Sequence, residues 1–507
     1  KPITDFEENK ASAKVPIPEA KFRPGDARQK RRKRLHYAGK TMSQLAPVVQ
    51  KRGREKLLAC KFILIFANTA SRFSLFMRNP NQLNTFRTRQ DQLMQQELIL
   101  IRITGEDRPG LTADFMAIMA KYEVDILDIG QADIHSTLSL GILIHTNEQT
   151  SGSVMKEVLF KAAERGVNVR FYPIEAEEYT EWVRAQGRNR YILTVLARHL
   201  TAKQMAAVSQ LVAAQGLNID GIRRLTGRVP LERHQDNVRA CIEFSLRGTP
   251  ANLAAMQADL LQLSANLEMD CSFQHDNAYR RMRRLICFDM DSTLIQAECI
   301  DELAERAGVG EEVRRITEQA MRGEIDFKES FTRRVALLKG LDASVMQDIA
   351  EHLPLTEGVE RLMYVLKRHG YKIAILSGGF TFFGEHLARR FGIDYVYANE
   401  LEIENGHLTG RFVGEIVDGQ RKAELLRLIA QVEKVDLGQT IAVGDGANDL
   451  PMLSTAGLGI AFHAKPRVVA NAKQSINTVG IDGVLYFLGF KDSYLDEHVP
   501  SPEGEPA

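Results

Sequence analysis

Long apolar runs are missing from this 507-residue sequence. The nearest to one, Phe62 to Ala67, falls far short of the ~20 residues that cross a bilayer as a helix, which argues against a helical membrane protein. Residues 1–30 are polar and lack the apolar centre of a secretory leader. Cysteine is scarce and scattered: Cys60, Cys241, Cys271, Cys287 and Cys299 form no CxxC pair and no Cys/His cluster. That excludes a disulfide framework and a structural zinc site, and points to reduced thiols in a cytoplasmic protein. Net charge is also nearly absent, at +1, but residues 1–93 hold 21 Lys+Arg against 7 Asp+Glu, so the other 414 residues are net acidic. With 44% apolar and 26% charged residues, the chain has the composition of a soluble globular protein of roughly three domains.

The basic excess peaks at Arg28–Arg34, which reads Arg-Gln-Lys-Arg-Arg-Lys-Arg. A nucleic-acid-binding arm is one reading. A solvated extension, or sequence upstream of a true start at Met94, is the other. The absence of interleaved aromatics and of any folded pattern favours the second, so nucleic acid is not an expected partner.

From residue 97 the order is strand, helix, strand, strand, helix, strand, and the same order recurs from Tyr191. A duplication at a period of ~95 residues gives two ferredoxin-like α+β domains, 94–176 and 188–276, each with helices on one face of a sheet. Tyr279 to Arg284 is a short basic link with the character of a hinge. The chain is expected to end in a mobile tail, 493–507, containing Pro500, Pro502 and Pro506.

The stretch that organises the rest follows the link. Leu285-Ile-Cys-Phe288 runs straight into Asp289-Met-Asp-Ser-Thr293. A continuous apolar run of this kind is a buried parallel strand. Side chains two apart on an extended segment point the same way, so Asp289 and Asp291 face the mouth of the sheet, where open α/β folds bind ligands. Two carboxylates there suit a metal, a nucleophile and a proton carrier. The alternative is that Asp291 or Ser292 caps a helix resuming after Thr293.

Residues 296–358 are helical throughout and form a cap over the strand ends. The α/β alternation then resumes to 492, completing a doubly wound, Rossmann-like core over 284–492. A hairpin is expected at Glu404-Asn405-Gly406. Two more strand ends reach the same mouth: Ser377-Gly378-Gly379, read as a phosphate cradle at a helix N-terminus, and Asp445 with Asn448 and Asp449. Asp289 and Asp445 are hard oxygen donors of the kind Mg²⁺ prefers. Lys422 sits where a helix opens, an unfavourable place for a cation unless it faces an anion; a solvated surface lysine is the alternative.

Asp289-Met-Asp-Ser-Thr293, Ser377-Gly-Gly379, Lys422 and Gly444-Asp-Gly-Ala-Asn-Asp449, in this order, resemble the motifs of the haloacid-dehalogenase-like phosphatases. Glu298-Cys-Ile-Asp301 and Phe327-Lys-Glu-Ser-Phe-Thr-Arg-Arg334 narrow the resemblance to the phosphoserine phosphatase family. Asp107-Arg-Pro-Gly110 resembles the ligand turn of ACT domains, with Gly216-Leu-Asn-Ile-Asp220 at the matching point of the second copy. Arg198-His-Leu-Thr201 in the second copy lacks the glycine of that turn, which argues against sensing there, and packing or dimerisation by both copies is the alternative to sensing.

The resemblance implies Asp289 as nucleophile and Asp291 as proton donor and acceptor. It implies Mg²⁺ between Asp289, the Asp291 carbonyl and Asp445, with Asp449 behind them. Ser377, Gly378, Lys422 and Asn448 would hold the phosphate or its neighbours. Glu298 would take the substrate ammonium and Arg334 its carboxylate, with Met321 and Phe327 beside the substrate stem. Arg333 and Arg334 cannot both face inward, and only the resemblance selects Arg334. An amino-acid effector at the ACT-like domains and a homodimer complete what it implies.

Overall fold

The computed structural model describes residues 96–187, 189–228 and 238–495. The basic N-terminal stretch and the prolines of the C-terminal tail lie outside them. The chain divides into two compact units, one ending at Glu181 and the other starting at Trp182.

The first unit opens with β1 (Gln96–Glu106), α1 (Leu111–Lys121), β2 (Asp125–Ile134), β3 (Thr137–Asn147), α2 (Glu148–Arg165) and β4 (Asn168–Ile174), and α3 (Ala176–Ala185) follows. The strands are ordered β2-β3-β1-β4. Alternation puts Ile99, Ile101 and Ile103 of β1 onto Phe115 of α1 and Val154 and Val158 of α2, one core on one face. Helix α2 starts at Glu148 because Asn147 caps it, accepting from Gln149 and Thr150 N–H.

The second unit repeats the pattern with β5 (Arg190–Ala197), α4 (Ala202–Ala214), β6 (Asn218–Arg224), β7 (Ala240–Arg247), α5 (Leu253–Leu267) and β8 (Asp270–His275). A short α6 (Ala278–Arg281) leads into the α/β core. Its strands are β9 (Leu285–Phe288), β10 (Lys372–Phe380), β11 (Tyr395–Glu404), β12 (His407–Val413), β13 (Thr440–Gly444), β14 (Leu458–Phe462) and β15 (Ser475–Ile476). They form one sheet ordered β12-β11-β10-β9-β13-β14-β15, with β12 antiparallel. Strand β9 is central, and both its faces are buried: Ile286 and Phe288 in one cluster, Leu285 and Cys287 in another. That is why its apolar run does not alternate. Asn405 and Gly406 both have positive φ, 52° and 80°, as the expected type I′ turn requires.

Four helices make the cap: α7 (Cys299–Ala307), α8 (Gly310–Met321), α9 (Phe327–Leu337) and α10 (Val345–Glu351). The chain leaves and re-enters the core side by side, with Gln296 N–H on Pro354 O at 2.8 Å and a bridge between Ile295 and Leu355. After the cap come α11 (Val359–Arg368), α12 (Thr381–Phe391), α13 (Gly419–Val432), α14 (Leu450–Thr455), α15 (Pro466–Val469) and α16 (Gly483–Phe487).

Three expectations are corrected. The basic link is no hinge: Arg280 and Arg283 are buried, Arg280 pairing with Glu243 at 2.6 Å and Arg283 donating to Gln274 at 2.9 Å. Residues 493–495 are not part of a mobile tail, since Leu495 is buried and Asp492 accepts from Tyr486 and Arg361. No helix resumes after Thr293. Three N–H groups (Thr293, Leu294 and Ile295) converge on Met290 O, Ser292 has φ 56°, and the next helix begins at Cys299.

The open face of the second ferredoxin-like sheet is covered by the α/β core. Asp270 accepts from the Asn477 and Thr478 N–H groups, Gln274 donates to Phe487 O, and Arg198 grips Glu357 with two nitrogens. The turn that lacks a glycine thus serves as a clamp. Among the described residues the cysteines are free and buried, and no helix is long and apolar enough to cross a membrane.

Candidate active site

Parallel pairing of β9 with β10 and β13 brings three strand ends together. They line one cavity of about 640 Å³ whose roof is the cap. Asp289, 5% exposed, follows the last residue of β9; its Oδ1 accepts from Met290 N–H at 2.7 Å and its Oδ2 meets Lys422 Nζ at 2.7 Å. Lys422 is fully buried on α13, which Asp418 caps, and its Nζ also meets Asp449 Oδ1 at 2.7 Å. It is therefore not a solvated lysine. Burial alone would lower its pKa, but Asp289 and Asp449 outweigh that and hold it charged.

Asp291 faces the same cavity, with Oδ1 accepting from Cys299 N–H at 3.3 Å. Burial, then the charges of Glu298 and Asp289, push its carboxyl up to about 8. Asp445 rises to about 7, through burial and then Asp289 and Glu298. Glu298 opens onto the cavity yet is desolvated enough to rise as well, with Ser292 Oγ donating to it at 2.8 Å. Carboxylate oxygens of Asp289, Asp445 and Asp449 lie within 4.8 Å of one another, a group that could hold a cation. The hard, all-oxygen donor set suits a divalent ion of the magnesium kind. Gly446 N–H and Lys422 engage the two oxygens of Asp449, as Met290 N–H and Lys422 engage those of Asp289, which leaves Asp445 the freest of the three.

Ser377 to Gly379 forms the irregular end of β10 and, as expected, leads directly into a helix N-terminus, with Phe380 the N-cap of α12. Ser377 Oγ accepts from Gly379 N–H at 2.9 Å. A Cβ on Gly379 would collide with Asp291 Oδ2, and one on Gly378 would lie 3.1 Å from the Phe327 ring. Asn399, 2% exposed, fastens the segment by donating to Gly378 O and Gly379 O at 2.8 and 3.2 Å. Sequence reasoning missed it, because the same strand also carries Glu400, Glu402 and Glu404 and one more polar residue gave no signal.

From the cap, Arg334 faces the cavity and Arg333 turns to solvent and pairs with Glu329. Arg334 Nη1 lies 3.5 Å from Thr317 Oγ1 on α8. Burial lowers its pKa and Asp301, Glu298 and Asp291 partly restore it. Met321 and Asn448 line the cavity too, and Lys465, also missed, reaches Met321 Sδ at 3.8 Å.

A buried carboxylate at the end of the central strand, a buried lysine against it and a helical cap are the features of a haloacid dehalogenase-like hydrolase. The family model of that description matches residues 286–454, and an ACT domain model matches 97–172. A phosphoserine phosphatase of Streptomyces coelicolor is 40% identical over 393 residues, 77% of this chain and 92% of that one. Phosphoserine phosphatase SerB2 of Mycobacterium tuberculosis is 40% identical over 77% of this chain and 93% of its own. A solved hydrolase of the same superfamily from Salmonella enterica superposes with a TM-score of 0.50 at 30% identity, covering 61% of this chain and 99% of that one. The chain belongs to the phosphoserine phosphatase family.

Proposed function

We propose that the protein hydrolyses O-phospho-L-serine to L-serine and phosphate, the last step of L-serine synthesis, through a phosphoaspartyl intermediate. The observation that carries this reading is the pairing of Asp289 with a fully buried Lys422 on the floor of a capped cavity, with Asp291 raised to about 8 beside it.

The Asp289 carboxylate attacks phosphorus, the P–O bond to serine breaks, and Asp291 gives its proton to the departing serine oxygen. Asp291, now ionised, takes a proton from water as that water attacks the phosphoaspartate, which returns Asp289 and releases phosphate. Lys422 and the Ser377–Gly379 segment hold the phosphoryl oxygens, and Asn448 orients them. Glu298 receives the ammonium and Arg334 the carboxylate. Asp289, Asp445 and the Asp291 carbonyl would hold Mg²⁺, with Asp449 behind them. The ion would supply positive charge that lets an anionic carboxylate approach an anionic phosphate.

A cytoplasmic homodimer with an amino-acid effector at the ACT-like domain is part of the same reading. The dimer is supported by the edge strand β2, which leaves Ile126, Ile129 and Ile134 exposed. Phosphate release from phosphoserine, phosphothreonine and a plain alkyl phosphate, with and without Mg²⁺, tests the reading. Preference for phosphoserine is expected; equal rates would refute the substrate, and no Mg²⁺-dependent turnover would refute the phosphatase.

A further inference from the structure

Ser330 stands one turn before Arg334 on α9, on the same face, and both line the cavity. It is 1% exposed, and its hydroxyl is buried with no partner. Nearby helical hydroxyls behave otherwise. Thr332 donates to Lys328 O at 2.8 Å and Thr317 to Val313 O at 3.0 Å, the bond back along the helix that such a side chain ordinarily makes. Arg334 shows the same deficit. Its Nη1 is directed at Thr317 Oγ1, while its Nε is buried without an acceptor. Two buried donors therefore sit on successive turns of one helix, in the wall of one cavity, both unmatched. Folded proteins rarely leave such groups unmatched, and where they do an arriving ligand is one way of supplying the acceptor.

We propose that Ser330 is a substrate-contact residue: its hydroxyl and the Arg334 guanidinium together hold the α-carboxylate of the substrate. The assignment rests on the phosphoserine reading and adds a donor to it. A carboxylate offers two oxygens in one plane, enough for the Arg334 fork and one further donor from the preceding turn. The pair therefore selects for an amino-acid phosphate over phosphoethanolamine, which has the same ammonium and phosphate and no carboxylate.

Ser330→Ala in the full chain removes one oxygen and keeps a good helix former. The KM for phosphoserine should rise about tenfold with kcat nearly unchanged, while kinetics with phosphoethanolamine stay as they were. The Tm of the ligand-free protein should not fall, because the hydroxyl has no bond to lose. In an Arg334→Ala background the same change should add little, since the carboxylate is no longer held in place. Ser330→Cys, a weak donor of similar size, should behave like Ser330→Ala. Equal KM changes on both substrates, an unchanged KM for phosphoserine, or a protein that no longer folds would each overturn the proposal. A wild-type enzyme that hydrolyses phosphoserine and phosphoethanolamine equally well would remove the substrate reading itself, a result visible before any variant is made.

Discussion

Asp289 and Lys422 illustrate how one residue's chemistry depends on its immediate partners. The lysine is shared between Asp289 and Asp449 at 2.7 Å each, so it neutralises the floor of the site and stays charged although buried. Asp289→Asn keeps the shape and removes the proposed nucleophile. Turnover should fall by at least about 10³-fold, and mass spectrometry after quenching with acid should find no phosphoprotein; persistent labelling would assign the nucleophile elsewhere. Protonation gives a second test. Asp445 at about 7 and Asp291 at about 8 bind protons more tightly folded than unfolded, where the reference is 3.8. Their stabilising contribution is therefore complete below that reference and is lost as pH rises through 7 and 8. A divalent cation on Asp289 and Asp445 would take the place of the Asp445 proton, while the Asp291 carboxyl keeps its own. The gain in Tm from Mg²⁺ over EDTA should accordingly grow between about pH 5.5 and about pH 8.5. A gain that is flat or shrinks with pH would count against the carboxylates as the cation site.

At the scale of elements, the irregular end of β10 matters more than the helix after it. Gly379 approaches Asp291 so closely that any side chain displaces one or the other. Gly379→Ala should cost about 100-fold or more in kcat with little loss of Tm. Gly152→Ala on α2, where a Cβ meets nothing within 4 Å, should be neutral or slightly stabilising; similar kcat losses in both would point away from a local clash. Elements set by local pattern were legible: the buried run of β9, and the Asn405-Gly406 turn, whose residues alone tolerate its positive φ. The turn from Met290 to Ile295 was not, because Thr293 follows a residue at φ 56° and its hydroxyl lies 3.4 Å from Asp445, 152 residues away. Nothing within the stretch itself announces that partner.

At the scale of the molecule, the second ferredoxin-like domain is continuous with the phosphatase core. Leu196, Leu225 and Cys241 belong to the same apolar cluster as Ile286 and Phe288. Across that junction Asp482, fully buried, faces Arg239 from one side and Arg361 from the other, at 2.8 Å from Arg361. Asp482→Ala leaves the part-buried Arg239 guanidinium without its anion and Arg361 with Asp492 alone. Urea unfolding should show a loss of about 3–5 kcal/mol. A change below about 1 kcal/mol would mean that water already satisfies the arginines.

Residue type and order sufficed for the α/β core, the paired ferredoxin-like repeats and the carboxylates at the strand ends. Alternation and helical period are local, and the ability of a carboxylate to attack, or of a lysine to neutralise, belongs to the side chain itself. What only the tertiary structure decided was which polar groups lost their water and to whom they turned. Arg280 and Arg283 read as part of a basic, hinge-like link until packing buried them against Glu243 and Gln274. Asn399 and Ser330 read as ordinary polar residues until one fastened Gly378 and Gly379 and the other was left facing the cavity with no partner. Desolvation and pairing are properties of segments brought together from far apart in the chain, so no window of sequence contains them.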